Sequence, residues 1–357
     1  MLRQLARLTR PIPAAGGDAL AIAVYGDGGG AHIVAKESGF EGVACVDDAA
    51  RLLDVLCDVW ARTKQPWAER WARGVLEFVL WMQEPDGRWI NFVYDWDGTR
   101  NLHGITSATG ESFWHARALV GVSHAWLTFA DERARDAVLS GLDHAVSKPA
   151  PADVRALHIL TARRLIADAG VTSLRPAMLD WVQELATCRE GDVLKNNDEE
   201  TGPPHLWAHI QEGVLAWSST LLDEPALLDV AARSAEALVL PAVEASFDAI
   251  STSPYDVASC IYSLDRLSET TGEPRWATLA SDARAWFDGR NAAAAPVYDR
   301  RRGRVADGID EGRVSENSGA ESNIVAAEAL LDDALDVARA LEDPFARPPV
   351  DLPEPDR

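Results

Sequence analysis

The chain has 357 residues, a formal net charge of −22, 13 Trp against 8 Phe and 5 Tyr, and four cysteines. That length allows one large core or two ordinary ones, and the acidic balance argues against nucleic acid or an anionic membrane as partner, because their phosphates would be repelled. Cys45, Cys57, Cys188 and Cys260 are scattered, three of them in or beside apolar helical runs, and no run of about 18 apolar residues occurs. These features predict a cytoplasmic protein with free thiols and no membrane insertion.

Residues 1–45 are the least regular part. A strand-like run over 19–25 leads into Gly26-Asp27-Gly28-Gly29-Gly30-Ala31, a loose G-x-G-x-x-G/A pattern with Asp47 and Asp48 near the distance of a ribose-binding acid. No alternation of strand and helix follows, so a Gly-rich turn is the better reading. From Val46 to Trp60 apolar residues recur on two faces, which predicts a helix buried on most of its girth. Five later segments, 111–119, 153–165, 209–217, 256–264 and 321–331, repeat the plan of a polar group before an Ala/Leu-rich helix. Between them lie one-sided amphipathic segments, at 67–83, 133–146, 174–187, 225–240 and 276–287.

Alternating inner and outer helices with a period of about 45 to 65 residues predict an all-α (α/α)6 toroid. A sixth outer helix is not evident, which leaves the N-terminal segment to fill that place. Residues 1–341 are expected to form one domain, completed by 1–45, and the Pro- and Asp-rich 342–357 a disordered tail. Links from inner to outer helix are short, whereas the returns 84–110, 190–204, 241–254 and 290–318 are long. All the long ones end at inner-helix N-termini, so the functional site is expected on that rim.

The first return carries Trp89, Tyr94, Asp95, Trp96, Asp97 and His103. Aromatic faces among polar groups suit sugar, whose C–H faces stack on rings while its hydroxyls take hydrogen bonds; the plainer reading is a hairpin turning at Asp97-Gly98. Asp95-x-Asp97-Gly98 lacks the spacing and closing Glu of a calcium loop. Asp47 and Asp48 are either an acid–base or hydroxyl-binding pair at the ring mouth or first-turn carboxylates that cap the helix. Glu111 has the same two readings. Glu321 sits in a Ser318-x-x-Glu321 capping-box pattern. His205 and His209, four apart near Asp198 and Glu200, have too little support for a metal site, and His209 is read as a rim hydrogen-bonding group. No metal or cofactor is expected.

The segments Trp286-Phe287-Asp288-Gly289-Arg290-Asn291, Pro296-Val297-Tyr298-Asp299, Ala306-Asp307-Gly308-Ile309 and Glu316-Asn317-Ser318-Gly319-Ala320-Glu321-Ser322, in that order and spacing, resemble the helical-toroid domain of the six-hairpin glycosidase-like superfamily. Domains of that kind occur beside bacterial glycosyltransferases and mannoside-processing enzymes. Asp47-Asp48-Ala49-Ala50-Arg51 and His115-Ala116-Arg117-Ala118-Leu119 are similar to two further elements of the same family, so the resemblance spans roughly residues 40 to 331. The chain departs from it at Glu41-Gly42-Val43-Ala44-Cys45, where a His-Gly-aromatic segment is usual, and at Ser112-Phe113-Trp114, where acidic residues are usual.

The resemblance implies carbohydrate chemistry. Hydrolysis needs one carboxylic acid and one carboxylate across the scissile bond, and the expected candidates are Asp48, Asp95, Glu111 and Glu321. Expected substrate contacts are Asp47, Trp89, Tyr94, Trp96, His103, His115, His209, Tyr255, Asp256 and Asn317. The alternative is a non-catalytic glycan-binding domain serving a glycosyltransferase.

Overall fold

The computed structural model describes residues 1–31, 42–110 and 112–345. A short helix, α1 (Leu2–Leu8), precedes the helical pairs α2 (Val46–Thr63) with α3 (Pro66–Trp81), α4 (Phe113–Phe129) with α5 (Glu132–Ser147), and α6 (Ala152–Asp168) with α7 (Arg175–Thr187). Next come α8 (Gln211–Leu222) with α9 (Pro225–Ser234) and its extension α10 (Leu240–Glu244), α11 (Pro254–Thr271) with α12 (Pro274–Arg284), and α13 (Ala320–Ala329) with α14 (Leu331–Ala340). The first member of each pair packs against the first member of the next, and α13 packs on α2, closing an (α/α)6 ring.

Starts and stops follow local chemistry. Proline, whose missing N–H costs nothing in a first turn, opens α3, α9, α11 and α12. Left-handed residues end α2 at Lys64 and α11 at Gly272.

The ring closes differently from the sequence expectation. Helix α14 is the sixth outer helix, packing on α13 and α2, and α1 lies against both α13 and α14 rather than replacing an outer helix. Of the expected tail, Asp343 and Phe345 lie against α3, the Phe345 ring edge-on to Trp71 at 5.0 Å; residues 346–357 fall outside the described residues. The Gly-rich segment is a turn in which Asp27 Oδ1 accepts from the N–H groups of Gly29 and Ala31, both at 2.8 Å.

Small residues set the spacing of the inner ring. A Cβ on Gly121 of α4 would lie 2.3 Å from the Ala50 carbonyl oxygen of α2, so the two backbones touch where any side chain would intervene. Gly121→Ala is therefore expected to cost about 1–3 kcal/mol by over-packing, measured by urea unfolding; an unchanged midpoint would contradict this close crossing. Tryptophan serves the core as well: Trp67, Trp71, Trp89, Trp276 and Trp286 are fully buried.

Candidate active site at the inner-helix rim

The long returns carry short two- and three-stranded ladders that pin the rim. Ala44–Cys45, just before α2, pairs antiparallel with Phe92–Val93. Cys45 caps α2, its Sγ accepting from the Asp48 N–H at 3.4 Å, and Asn91 Oδ1 accepts from the Asp47 N–H at 3.1 Å. The helix start is capped by other groups, so both Asp side chains are available for other bonds.

They go to arginines. One turn along α2, Arg51 reaches Asp48 at 2.7 Å, Glu321 of α13 at 2.9 Å and Asp47 at 3.3 Å. Arg117 of α4 pairs with Asp47 and donates to the Tyr255 hydroxyl of α11. Arg51 and Arg117 lie over the Tyr255 ring at 5.1 and 5.4 Å. Four inner helices thus meet in one charged network, with Asp48 and both arginines buried and Glu321 half exposed at 47%. An aromatic wall adjoins it: Phe113 and Trp207 rings lie 5.7 Å apart, Trp207 lies 6.4 Å from Tyr255, and His205 stacks on Trp207 at 3.8 Å. Trp207 is 40% exposed, a face that a sugar can reach.

The two adjacent aspartates are driven apart in acidity. For Asp47, burial alone would raise the pKa, but Arg117 and Arg51 outweigh it and hold the carboxyl below the ordinary carboxylate range. At Asp48 burial wins over Arg51, the like charges of Asp47 and Glu321 add to it, and the carboxyl is pushed up to about 6. Environments that separate two neighbouring carboxyls in this way mark one as proton donor and the other as fixed anion. Burial likewise raises Tyr255 to about 12, so its hydroxyl stays protonated. Asp48 Oδ1 and Glu321 Oε2 share Arg51 Nη2 at 2.7 and 2.9 Å. Those two bonds keep the oxygens no more than about 5.6 Å apart, which excludes the roughly 6.5–9.5 Å of an inverting pair and allows the roughly 5–5.5 Å of a retaining one.

Of the expected residues, the structure brings together Asp47, Asp48, Tyr255 and Glu321. Glu321 is not a capping-box residue: α13 is capped at Gly319 without a side chain, Ser318 Oγ donates to the Val305 carbonyl, and the Glu321 carboxylate goes to Arg51. Asp95 sits on the tip of the 92–100 hairpin, where Gly98 packs on Ala14 and Trp81, and no bond among the described residues links it to Asp48 or Arg51. Glu111 lies outside the described residues.

Several expected substrate contacts are structural instead. Trp89 is fully buried and donates to the Val79 carbonyl at 2.9 Å. Tyr94 donates to Asn101 Oδ1 at 2.9 Å on the exposed hairpin, where Trp96 packs half-buried against the core and His103 is exposed. His115 is buried between α4 and α5, its Nε2 3.2 Å from the Gly141 carbonyl. His209 is also buried, between Asn196 at 2.7 Å and Glu212 at 2.9 Å, which removes it from the rim surface. Asp256 accepts from the Ser253 N–H and hydroxyl in a capping box. Asn317 is exposed and bridges to Asp27. Arg51, Arg117 and Trp207 were not expected, although Arg51 follows the Asp pair at helical i+3 and i+4 spacing.

No protein-family model matches the chain, and no curated protein matches it in sequence. Solved structures do match in fold. A sugar epimerase from a ruminal bacterium superposes with a TM-score of 0.69 at 10% identity, covering 93% of this chain and 95% of that one. D-Mannose isomerase gives 0.66 at 8%, covering 94% and 95%. The GH76 α-mannanase of Bacteroides thetaiotaomicron gives 0.58 at 16%, covering 85% and 91%. These are (α/α)6 proteins of the six-hairpin glycosidase-like fold, and this chain shares that fold. No helix among the described residues is long and apolar enough to cross a membrane, and the four cysteines are free.

Proposed function

We propose that this chain is a carbohydrate-processing enzyme that cleaves a glycosidic bond at the inner-helix rim. The reading rests chiefly on Asp48: a buried carboxyl pushed up to about 6, beside an anionic Asp47 and within about 5.6 Å of Glu321. Glu321 attacks the anomeric carbon while Asp48 passes its proton to the departing oxygen; the ionised Asp48 then takes a proton from the water that displaces Glu321. Asp47, Arg51 and Arg117 fix the charges, and Trp207 supports the sugar ring. Mannose-containing glycans head the candidate substrates, in keeping with two of the fold neighbours. Free thiols fit a cytoplasmic location.

The test is product release from manno-, gluco- and arabino-oligosaccharides by wild type and Glu321→Gln, with the anomer followed by NMR. Release with retained configuration, lowered at least about a hundredfold by Glu321→Gln, is expected; release with inversion would overturn the assignment of Glu321.

A second reading, sugar isomerisation or epimerisation, is favoured by the two neighbours with the higher TM-scores and uses the same acid–base split for proton transfer beside a carbonyl. Formation of a ketose or epimer without hydrolysis would decide for it. Saturable binding with no turnover of any kind would decide instead for a glycan-binding domain serving a glycosyltransferase.

A further inference from the structure

Residues 23–27 run as a strap between the two helix starts that carry Asp48 and Glu321. Ala23 pairs antiparallel with Ala44, and the Val24 N–H donates to the Val43 carbonyl at 3.1 Å, which ties the strap to the segment leading into α2. On its other side the Val24 carbonyl accepts from the Ala320 N–H at 3.0 Å and the Gly26 carbonyl from the Ser318 N–H at 2.8 Å, which ties it to the start of α13. The crossing is tight: a Cβ on Gly319 would lie 2.8 Å from the Val24 carbonyl oxygen. Backbone bonds to both sides therefore fix Tyr25, in the middle of the strap, between the two carboxylate-bearing helix ends.

The Tyr25 side chain turns to the same place. Its ring is half-buried, and besides burial its hydroxyl feels the charges of Asp48, Glu321 and Asp307 and the Cys45 thiol. A phenol is an O–H donor at neutral pH in any case, and these surroundings only push its proton loss further up. The other groups nearby are spoken for. Asp307 Oδ1 accepts from the Gly319 N–H at 2.6 Å, Cys45 Sγ accepts from the Asp48 N–H, and Arg51 and Arg117 are bonded to carboxylates. A sugar with its anomeric carbon between Asp48 and Glu321 brings the hydroxyl of the adjacent carbon into this neighbourhood. Hydrogen bonds to that hydroxyl strengthen as positive charge grows on the anomeric carbon.

From this placement we infer that Tyr25 is a third catalytic residue of the rim, its hydroxyl donating to the sugar hydroxyl next to the anomeric carbon. The inference rests on the proposed rim chemistry for its substrate class, and it brings into the site a segment that lies outside the helical ring. The test uses the whole chain with nitrophenyl α-mannoside and its 2-deoxy analogue as probes, read by nitrophenolate release and by calorimetric binding. Tyr25→Phe removes only the hydroxyl and should leave the urea midpoint unchanged. It is expected to lower kcat/KM on the parent mannoside about 10–100-fold, and on the 2-deoxy compound by less than about threefold, because the partner of the lost bond is then already missing. Equal losses on the two substrates would mean a structural role, and no loss on either would mean no contact. Each of these would overturn the assignment and leave the rim chemistry standing if Asp48→Asn and Glu321→Gln still abolish release. If instead those two variants release nitrophenolate as wild type does, or wild type binds the mannoside without cleaving it, a Tyr25→Phe loss confined to the parent compound would uphold the Tyr25 contact while overturning the rim chemistry. Wild type that neither binds nor cleaves the mannoside would overturn the Tyr25 assignment together with the choice of mannose.

Discussion

Asp48→Asn is expected to lower turnover by about 10²–10⁴-fold, the scale of losing a general acid, while the protein stays folded. Wild-type activity should fall as pH rises through about 6, where the Asp48 proton is lost. The same group fixes a stability signature. Its carboxyl is raised above the roughly 3.9 of an unfolded chain, so between about pH 4 and 6 the folded state binds more protons than the unfolded one, and stability falls as pH rises through that window. A rise of about two pKa units corresponds to about 2–3 kcal/mol, present at low pH and gone above the folded value. Asparagine does not titrate, so the variant should lack this slope and match or exceed wild-type stability at pH 7. Urea unfolding at pH 4, 5, 6 and 7 reads it; parallel slopes in the two proteins would contradict a raised Asp48.

Arg51→Met should be the most damaging single change at the rim. Arg51 is buried and touches three carboxylates, Asp48, Glu321 and Asp47. Its loss strands buried negative charge, for which about 3–5 kcal/mol is typical. Asp47 keeps Arg117, so the penalty falls mainly on Asp48, which can escape it by taking up a proton. The destabilisation should therefore be large at pH 7.5 and shrink towards pH 4.5. A loss independent of pH would mean that Arg51 acts through packing rather than charge.

The ring was legible because an inner helix is apolar on most of its girth. Residues 46–60 and their later counterparts show this directly, and the long returns place the open rim. Helix α14 escaped notice because it follows α13 with no loop: Leu330, at φ −114° and ψ 45°, is the whole turn between them. A hinge of one residue leaves no Gly or Pro mark in the sequence. Asp47 and Asp48 stood out because two carboxylates exceed what a helix cap needs, and the caps prove to be Cys45 and Asn91. Arg117, Asp47's partner, is 70 residues away; ring closure alone makes that pair, and no periodicity predicts it.

Aromatic residues misled for a related reason. Composition reports how many there are and not which face they turn to. Trp89 is turned inward by its bond to Val79 ten residues earlier, whereas Trp207 stays at the surface, stacked on His205. His209 looked like a rim group until Glu212, on the same side of the chain three residues on, took its Nε2.

The split between Asp47 and Asp48 carries the account, and a carboxyl titration tests it most directly. Aspartate ¹³Cγ shifts would be followed from pH 3 to 8 in wild type, Asp47→Asn and Asp48→Asn. The account predicts a wild-type transition near pH 6 that vanishes in Asp48→Asn, and an Asp47 signal that titrates below the ordinary aspartate range. Both carboxyls titrating together in the ordinary aspartate range would contradict it.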